Sequence, residues 1–167
     1  MPKIIENVRE QLLAEAKKQI SERGYASTTI RSVAGALGLA VGTVYNYFES
    51  KEMLIGSFVY EDWKKHLAYM QSIPSDDPYV LTSGIYQSLR SFEEENAKLF
   101  SDTDAAKRIS VSSSDRHKIL RGQISALVRS VCKTDIEADF IAEALISWSV
   151  EGTDFDTLYP ILEKIIK

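Results

Sequence analysis

The sequence predicts an all-α protein, with three short helices at the front and longer ones behind. Three observations carry that prediction. Apolar residues recur at spacings of three and four along nearly the whole chain. No run alternates apolar and polar residues as a half-buried strand does. Glycine, proline and capping residues punctuate the periodic stretches at helix-length intervals.

The first helix is expected from Lys3 to Arg23, with Ile5, Val8, Leu12, Ala16 and Ile20 on one face and Gly24 as its stop. Thr28 or Thr29 can cap the second helix, whose stripe is Ile30, Val33, Ala34 and Leu37 before Gly38. A short third helix is expected at Val41–Phe48. Ser50 then caps a long fourth helix to Gln71, with Glu52 favourable to its dipole and Leu54, Phe58, Trp63, Leu67 and Met70 inward. "SIPSDDP" breaks it. Asp77 and Pro78 start the next helix, read to Leu99. The serine-rich stretch "SDTDAAKRISVSSSD" reads partly as loop, and further helices are expected at 115–132, 136–151 and 155–166.

Composition narrows the class. With 167 residues, 44% hydrophobic and 26% charged, the chain can bury a sizeable core as one domain or two small ones. No apolar run approaches a membrane span. "MPKIIENVREQLLAEAKK" lacks the apolar stretch of a secretory signal. The single cysteine, Cys132, excludes an internal disulfide framework, and a cytoplasmic location is expected. The net charge of −4 argues against a chain coated in nucleic acid, but the charge is uneven. Residues 1–51 hold seven Lys/Arg against five Asp/Glu, and the remainder thirteen against nineteen. One end can approach a phosphate backbone while the other stays away.

Three short helices with a glycine-containing turn between the second and third make a helix-turn-helix unit. Such a unit needs a third helix whose inner face pins it and whose outer face carries small or polar groups. Val44 and Phe48 are expected inward. Val41, Gly42, Thr43, Asn46 and Tyr47 fall on the other side. Gly42 costs helix propensity but lets a surface come close. Tyr45 and Tyr47 can offer hydroxyls to phosphates, and Lys51 adds a charge beside them.

The run "AKKQISERGYASTTIRSVAGALGLAVGTVYNYFESKEML", residues 16–54, resembles the DNA-binding domain of the TetR/AcrR family of bacterial transcriptional regulators. The resemblance implies an N-terminal three-helix helix-turn-helix domain, residues 1–50, followed by a helical ligand-sensing and dimerisation domain, residues 51–167. It implies that Thr29 caps the second helix and meets phosphate, and that Arg31 projects toward DNA. Ala40, Val41, Gly42, Thr43 and Asn46 would face bases and nearby phosphates, with Tyr45, Tyr47 and Lys51 as phosphate anchors. Two departures stand out. Ala40 occupies a position that is often serine and cannot cap, at a cost of about 1 kcal/mol. Val41 replaces a residue that is often polar, so it can touch only something apolar, such as a thymine methyl.

The resemblance further implies a two-fold dimer on a palindromic operator and a small-molecule effector. The expected dimer surface comprises Ile136, Phe140, Ile141, Ala144, Leu145 and Trp148 with Leu158, Ile161, Leu162, Ile165 and Ile166, on the last two helices. The expected effector contacts are Phe58, Trp63, His66, Tyr86 and Phe92. Effector binding would bias the setting of the fourth helix and thereby the spacing of the two recognition helices. The function expected is a sequence-specific DNA-binding regulator, by family default a repressor released by its effector. The alternative is a helix-turn-helix protein-interaction module without DNA.

An enzyme is disfavoured. Two histidines, His66 and His117, and one cysteine make no cluster with metal-ligand spacing. No glycine-rich loop or nucleophile motif appears. Neither metal nor cofactor is expected.

Overall fold

The computed structural model describes residues 7–109 and 113–166, and among these all regular structure is helical. In chain order the helices are α1 (Val8–Ser27), α2 (Ile30–Ala36), α3 (Val41–Tyr45), α4 (Lys51–Gln71), α5 (Pro78–Glu95), α6 (Ala97–Phe100), α7 (Thr103–Arg108), α8 (Ser113–Val128), α9 (Asp135–Glu151) and α10 (Phe155–Leu162). A single 3-10 turn, Arg129–Val131, follows α8. No described helix is long and apolar enough to cross a membrane.

The described residues divide into two compact units. The first comprises those of Met1–Asp62 and Asn96–Ser110, the second those of Trp63–Glu95 and Val111–Lys167. The chain therefore leaves the first unit partway along α4 and returns to it for α6 and α7. The division expected at residue 50 was one of role; this one is of packing.

In the first unit the expected stripe of α1 is buried at Leu12, Ala16 and Ile20, while Ile5 lies outside the described residues. Gly24, at φ 82° and ψ 174°, interrupts α1 where a stop was read, and Tyr25–Ser27 add one more turn. Val33, Ala34, Val44, Phe48, Leu54, Ile55 and Phe58 complete the core, joined by Leu99 and Ala105 from the returning segment. That segment is tied down by Lys98, whose Nζ donates to the carbonyls of Ser21 (2.7 Å) and Glu22 (3.1 Å) beside the Gly24 break.

Helix α4 has the bounds read from sequence, and Ser50 Oγ accepts from Met53 N at 3.1 Å as its cap. Asp77 Oδ1 caps α5 by accepting from Tyr79 and Val80 N. Helix α5 stops at Glu95 rather than Leu99, because Asn96 leaves helical geometry and Leu99 enters the first unit's core. Part of the serine-rich stretch is helical: Asp102 caps α7 through the backbone N–H groups of Asp104 and Ala105.

The second unit packs α5, α8, α9 and α10 around Ile85, Tyr86, Ile124, Val128, Ile141, Leu145 and Leu158. The Tyr86 hydroxyl sits between the carbonyls of Trp148 (2.8 Å) and Thr153, tying α5 to the turn before α10. Thr134 and Glu137 form a reciprocal capping box at the start of α9.

The expected dimer surface is corrected here. Ile141, Leu145, Leu158, Leu162 and Ile166 are interior to their own chain, all under a tenth exposed. Ala144 and Ile165 are half-buried against the same core. The outward residues of the set are Ile136, Phe140, Trp148 and Ile161, at 82, 56, 41 and 57% exposure. On each helix an inner and an outer apolar face were read as one stripe; α5 and α8 pack against α9, and α5 against α10.

Candidate nucleic-acid interface

The candidate surface is built on α2 and α3. Thr29 Oγ1 accepts from Ser32 N at 3.0 Å, and Ser32 Oγ accepts from Thr29 N at 2.9 Å. Two N–H groups that a helix start leaves without partners are thus satisfied. Behind this cap sits Gln19, fully buried on α1. Its Nε2 donates to Glu15 Oε1 (2.7 Å) and Ser32 O (3.2 Å), and its Oε1 accepts from Ser32 Oγ (2.6 Å). One amide thereby locks α2 to α1. Sequence reading missed it, though a polar residue beside Ala16 and Ile20 on the buried face of α1 was the available signal.

Gly38, at φ 67°, supplies the left-handed step in the turn to α3. Helix α3 ends three residues earlier than expected, at Tyr45 rather than Phe48, although Phe48 N still donates to Val44 O at 3.0 Å. Val44 and Phe48 are buried, as their four-residue spacing required. Ala40 makes no side-chain cap, the deficit expected from its identity. Val41 is half-buried and packs partly against the domain's own core. Only part of its side chain faces outward. Thr43 is half-buried, whereas Ala40, Gly42, Tyr45, Asn46 and Tyr47 are exposed. On α2, Thr29 and Arg31 are exposed as well.

Lys51, expected beside a phosphate, is turned inward. Its Nζ bonds the Tyr25 carbonyl and lies 3.6 Å from the centre of the Tyr25 ring. Burial lowers its pKa. The Tyr25 hydroxyl donates to Glu52 Oε1 at 2.8 Å. Burial first, then that bond, pushes the Tyr25 pKa up to about 12. Glu52 is held below the usual carboxylate range by its own backbone N–H and then by Tyr25. The three residues fasten the end of α1 to the start of α4.

The residues expected to meet an effector separate. Phe58 belongs to the first unit's core. In the second unit Trp63, His66 and Phe92 cluster, with the Phe92 ring edge-on to Trp63 at 5.3 Å and to His66 at 5.5 Å. Trp63 Nε1 donates to Gln123 Oε1 at 2.9 Å, and His66 Nδ1 lies 3.0 Å from Ser88 Oγ. Tyr86 is a core residue with its hydroxyl already engaged. Glu93, in an acidic run that reads from sequence as a solvated face, is half-buried, and burial raises its pKa.

A capped second helix and a pinned third helix with an open polar outer face, joined by a tight turn, define a helix-turn-helix domain of the DNA-binding kind. Residues 12–57 match the model of the bacterial regulatory proteins, tetR family. That match covers the front part of the chain, and the likeness to the family is shown for this domain. It is 29% identical over 106 residues to the HTH-type transcriptional repressor KstR2 of Mycolicibacterium smegmatis, covering 61% of this chain and 51% of that one. The chain thus spans about half the length of that curated relative. The fold of a TetR-family transcriptional regulator from Pectobacterium atrosepticum is similar, with TM-score 0.67 and 22% identity over 95% of this chain and 93% of that one. So is that of the ketosteroid transcriptional regulator KstR2 of Mycobacterium tuberculosis, with TM-score 0.59 and 21% identity over 98 and 97%. At these identities the structural likenesses speak to fold.

Proposed function

We propose that the chain is a cytoplasmic, sequence-specific DNA-binding transcriptional regulator. It acts as a repressor, as a two-fold dimer on a palindromic operator, and is released by a small-molecule effector. The observation that carries this reading is the division of α3: Val44 and Phe48 buried, Gly42, Tyr45, Asn46 and Tyr47 open.

Thr29, through its hydroxyl or backbone, meets phosphate beside Arg31, and Tyr45 and Tyr47 flank the groove as phosphate partners. Thr43 and Asn46 hydrogen-bond base edges, while Ala40, Gly42 and the outward part of Val41 offer only van der Waals contact. Lys51 serves by holding Tyr25, which sets the start of α4 against α1. The outward faces of α9 and α10, with Ile136, Phe140, Trp148 and Ile161, support the dimer reading, because such an apolar patch is costly in water unless covered. Trp63, His66 and Phe92, with Glu93 nearby in sequence, support an effector with an aromatic or apolar body and a polar handle. The effector biases the setting of α4, and the coupling is reciprocal: an effector that weakens DNA binding binds the DNA complex less tightly by the same factor.

Selection of bound duplexes from a random pool tests the reading. A palindrome with half-sites centred about one helical turn apart is expected. Failure to enrich any sequence contradicts it.

A further inference from the structure

Helix α7 packs with the helix-turn-helix although it lies far down the chain from it. Several contacts hold it there. Lys98, just before it, bonds the carbonyls of Ser21 and Glu22 on α1. Ala105 is buried in the first unit's core, with Leu99 upstream. Ile109, the residue that ends α7, packs on the same core and reaches α4 at Gly56, where a Cβ built on the glycine lies 3.9 Å from Ile109 Cγ2. Gly56 follows Glu52 by one helical turn. The C-terminal end of α7 therefore sits against the start of α4.

Arg108 is exposed at that end, and its side chain makes no hydrogen bond or ion pair among the described residues. A cation in the last turn of a helix suits the helix dipole, but Lys107 in the same turn already serves that. The Arg108 charge also reaches the corner where α1 meets α4. Burial acts first on Tyr25 and Lys51, and the backbone N–H first on Glu52. After these, all three also feel the guanidinium, which works against their protonated forms. At this corner Lys51 is committed to Tyr25. The corner is continuous with the turn from α3 into α4, where Tyr47 is exposed.

We propose that Arg108 is a DNA-backbone contact: from α7 it brings to a phosphate, beside the start of α4, the charge that the inward-turned Lys51 does not. This rests on the DNA-binding reading above and extends its surface beyond the helix-turn-helix to the returning segment. A guanidinium suits the role, because its planar fork matches two phosphate oxygens. Such a contact carries no sequence information; it adds affinity for any duplex, and it adds salt dependence.

The test uses the full chain, the duplex that the wild type enriches from a random pool, and an unrelated duplex of equal length. Arg108→Gln is expected to weaken binding to both by the same factor, roughly 3- to 10-fold at physiological salt, and to make the slope of log affinity against log salt shallower by about 0.9. Its melting temperature stays at the wild-type value. Arg108→Lys keeps the charge and most of the slope. Lys164→Gln, which removes an exposed cation of the second unit, leaves the slope unchanged. An unchanged slope for Arg108→Gln overturns the proposal. A loss confined to the enriched duplex also overturns it, because that places the residue on a base. So does an equal change in Lys164→Gln, because that reduces the effect to bulk charge. Binding of the wild type that is indifferent to salt removes the DNA-binding reading together with this one. A steep wild-type slope that Arg108→Gln leaves alone removes this one only.

Discussion

At the residue scale, the domain depends on a few polar side chains whose partners are hidden from the sequence. Gln19 is the clearest. Its replacement by leucine removes the buried amide that bonds Glu15 and Ser32 together, so Gln19→Leu is expected to destabilise the chain by about 1–3 kcal/mol in denaturant unfolding. Thr29→Ala removes one half of a capping box, at about 1 kcal/mol. Lys51 shows why a charged residue near a motif is hard to read: its type says only that it is cationic, and the structure places the charge on Tyr25. Lys51→Met is accordingly expected to lower the melting temperature by a few degrees, worth about 1 kcal/mol. It should leave the salt dependence of DNA binding unchanged, whereas Arg31→Ala should reduce that slope by about one phosphate contact. The alkaline limit follows from Tyr25. Its pKa is raised in the folded chain from 10.0 to about 12. The folded state then holds a proton that the unfolded state gives up, so stability present below pH 10 is lost as pH rises toward 12. Unfolding titrations of Tyr25→Phe should show a shallower fall in that window than the wild type.

At the scale of elements, boundaries were legible wherever punctuation was local. Ser50 and the "SIPSDDP" break gave both ends of α4, and Asp77–Pro78 gave the start of α5. Gly24 and Gly38 each sit at positive φ where a helix was read to stop. Helices α6 and α7 were not legible as elements, because their reason is tertiary: Leu99 and Ala105 fill the core of a unit whose other helices lie at the other end of the sequence. Asp102, an ordinary cap, was the one local hint. Helices α9 and α10 show the complementary limit. Amphipathicity marks an apolar face without saying whether the chain itself or a second copy covers it. The structure separates the faces, and the two should respond differently. Ile141→Ala, at a fully buried site, is expected to cost 2–5 kcal/mol of folding stability, on the order of other buried truncations. Phe140→Glu, on the outward face, is expected to leave the melting transition of the monomer intact while shifting sedimentation from dimer toward monomer.

At the scale of the molecule, the two compact units divide along the chain in a way that no single cut reproduces. The DNA-binding part was the most legible, because a helix-turn-helix is a local structure with short-range rules: a cap, a glycine turn, and two apolar residues four apart. The residues expected to meet an effector were the least legible, because sequence spacing does not say which side chains a fold brings together. Trp63, His66 and Phe92 came together, while Phe58 went to another core and Tyr86 into packing. What unites the molecule is the claim that one face of α3 reads a duplex. The most direct measurement of it is a salt titration of binding to the enriched palindrome and to a scrambled duplex of equal length, with stoichiometry. The account predicts two chains per palindrome, a preference of about 10³-fold or more over the scrambled duplex at physiological salt, and affinity falling steeply as salt rises. Equal affinity for the two duplexes, or binding indifferent to salt, would contradict it.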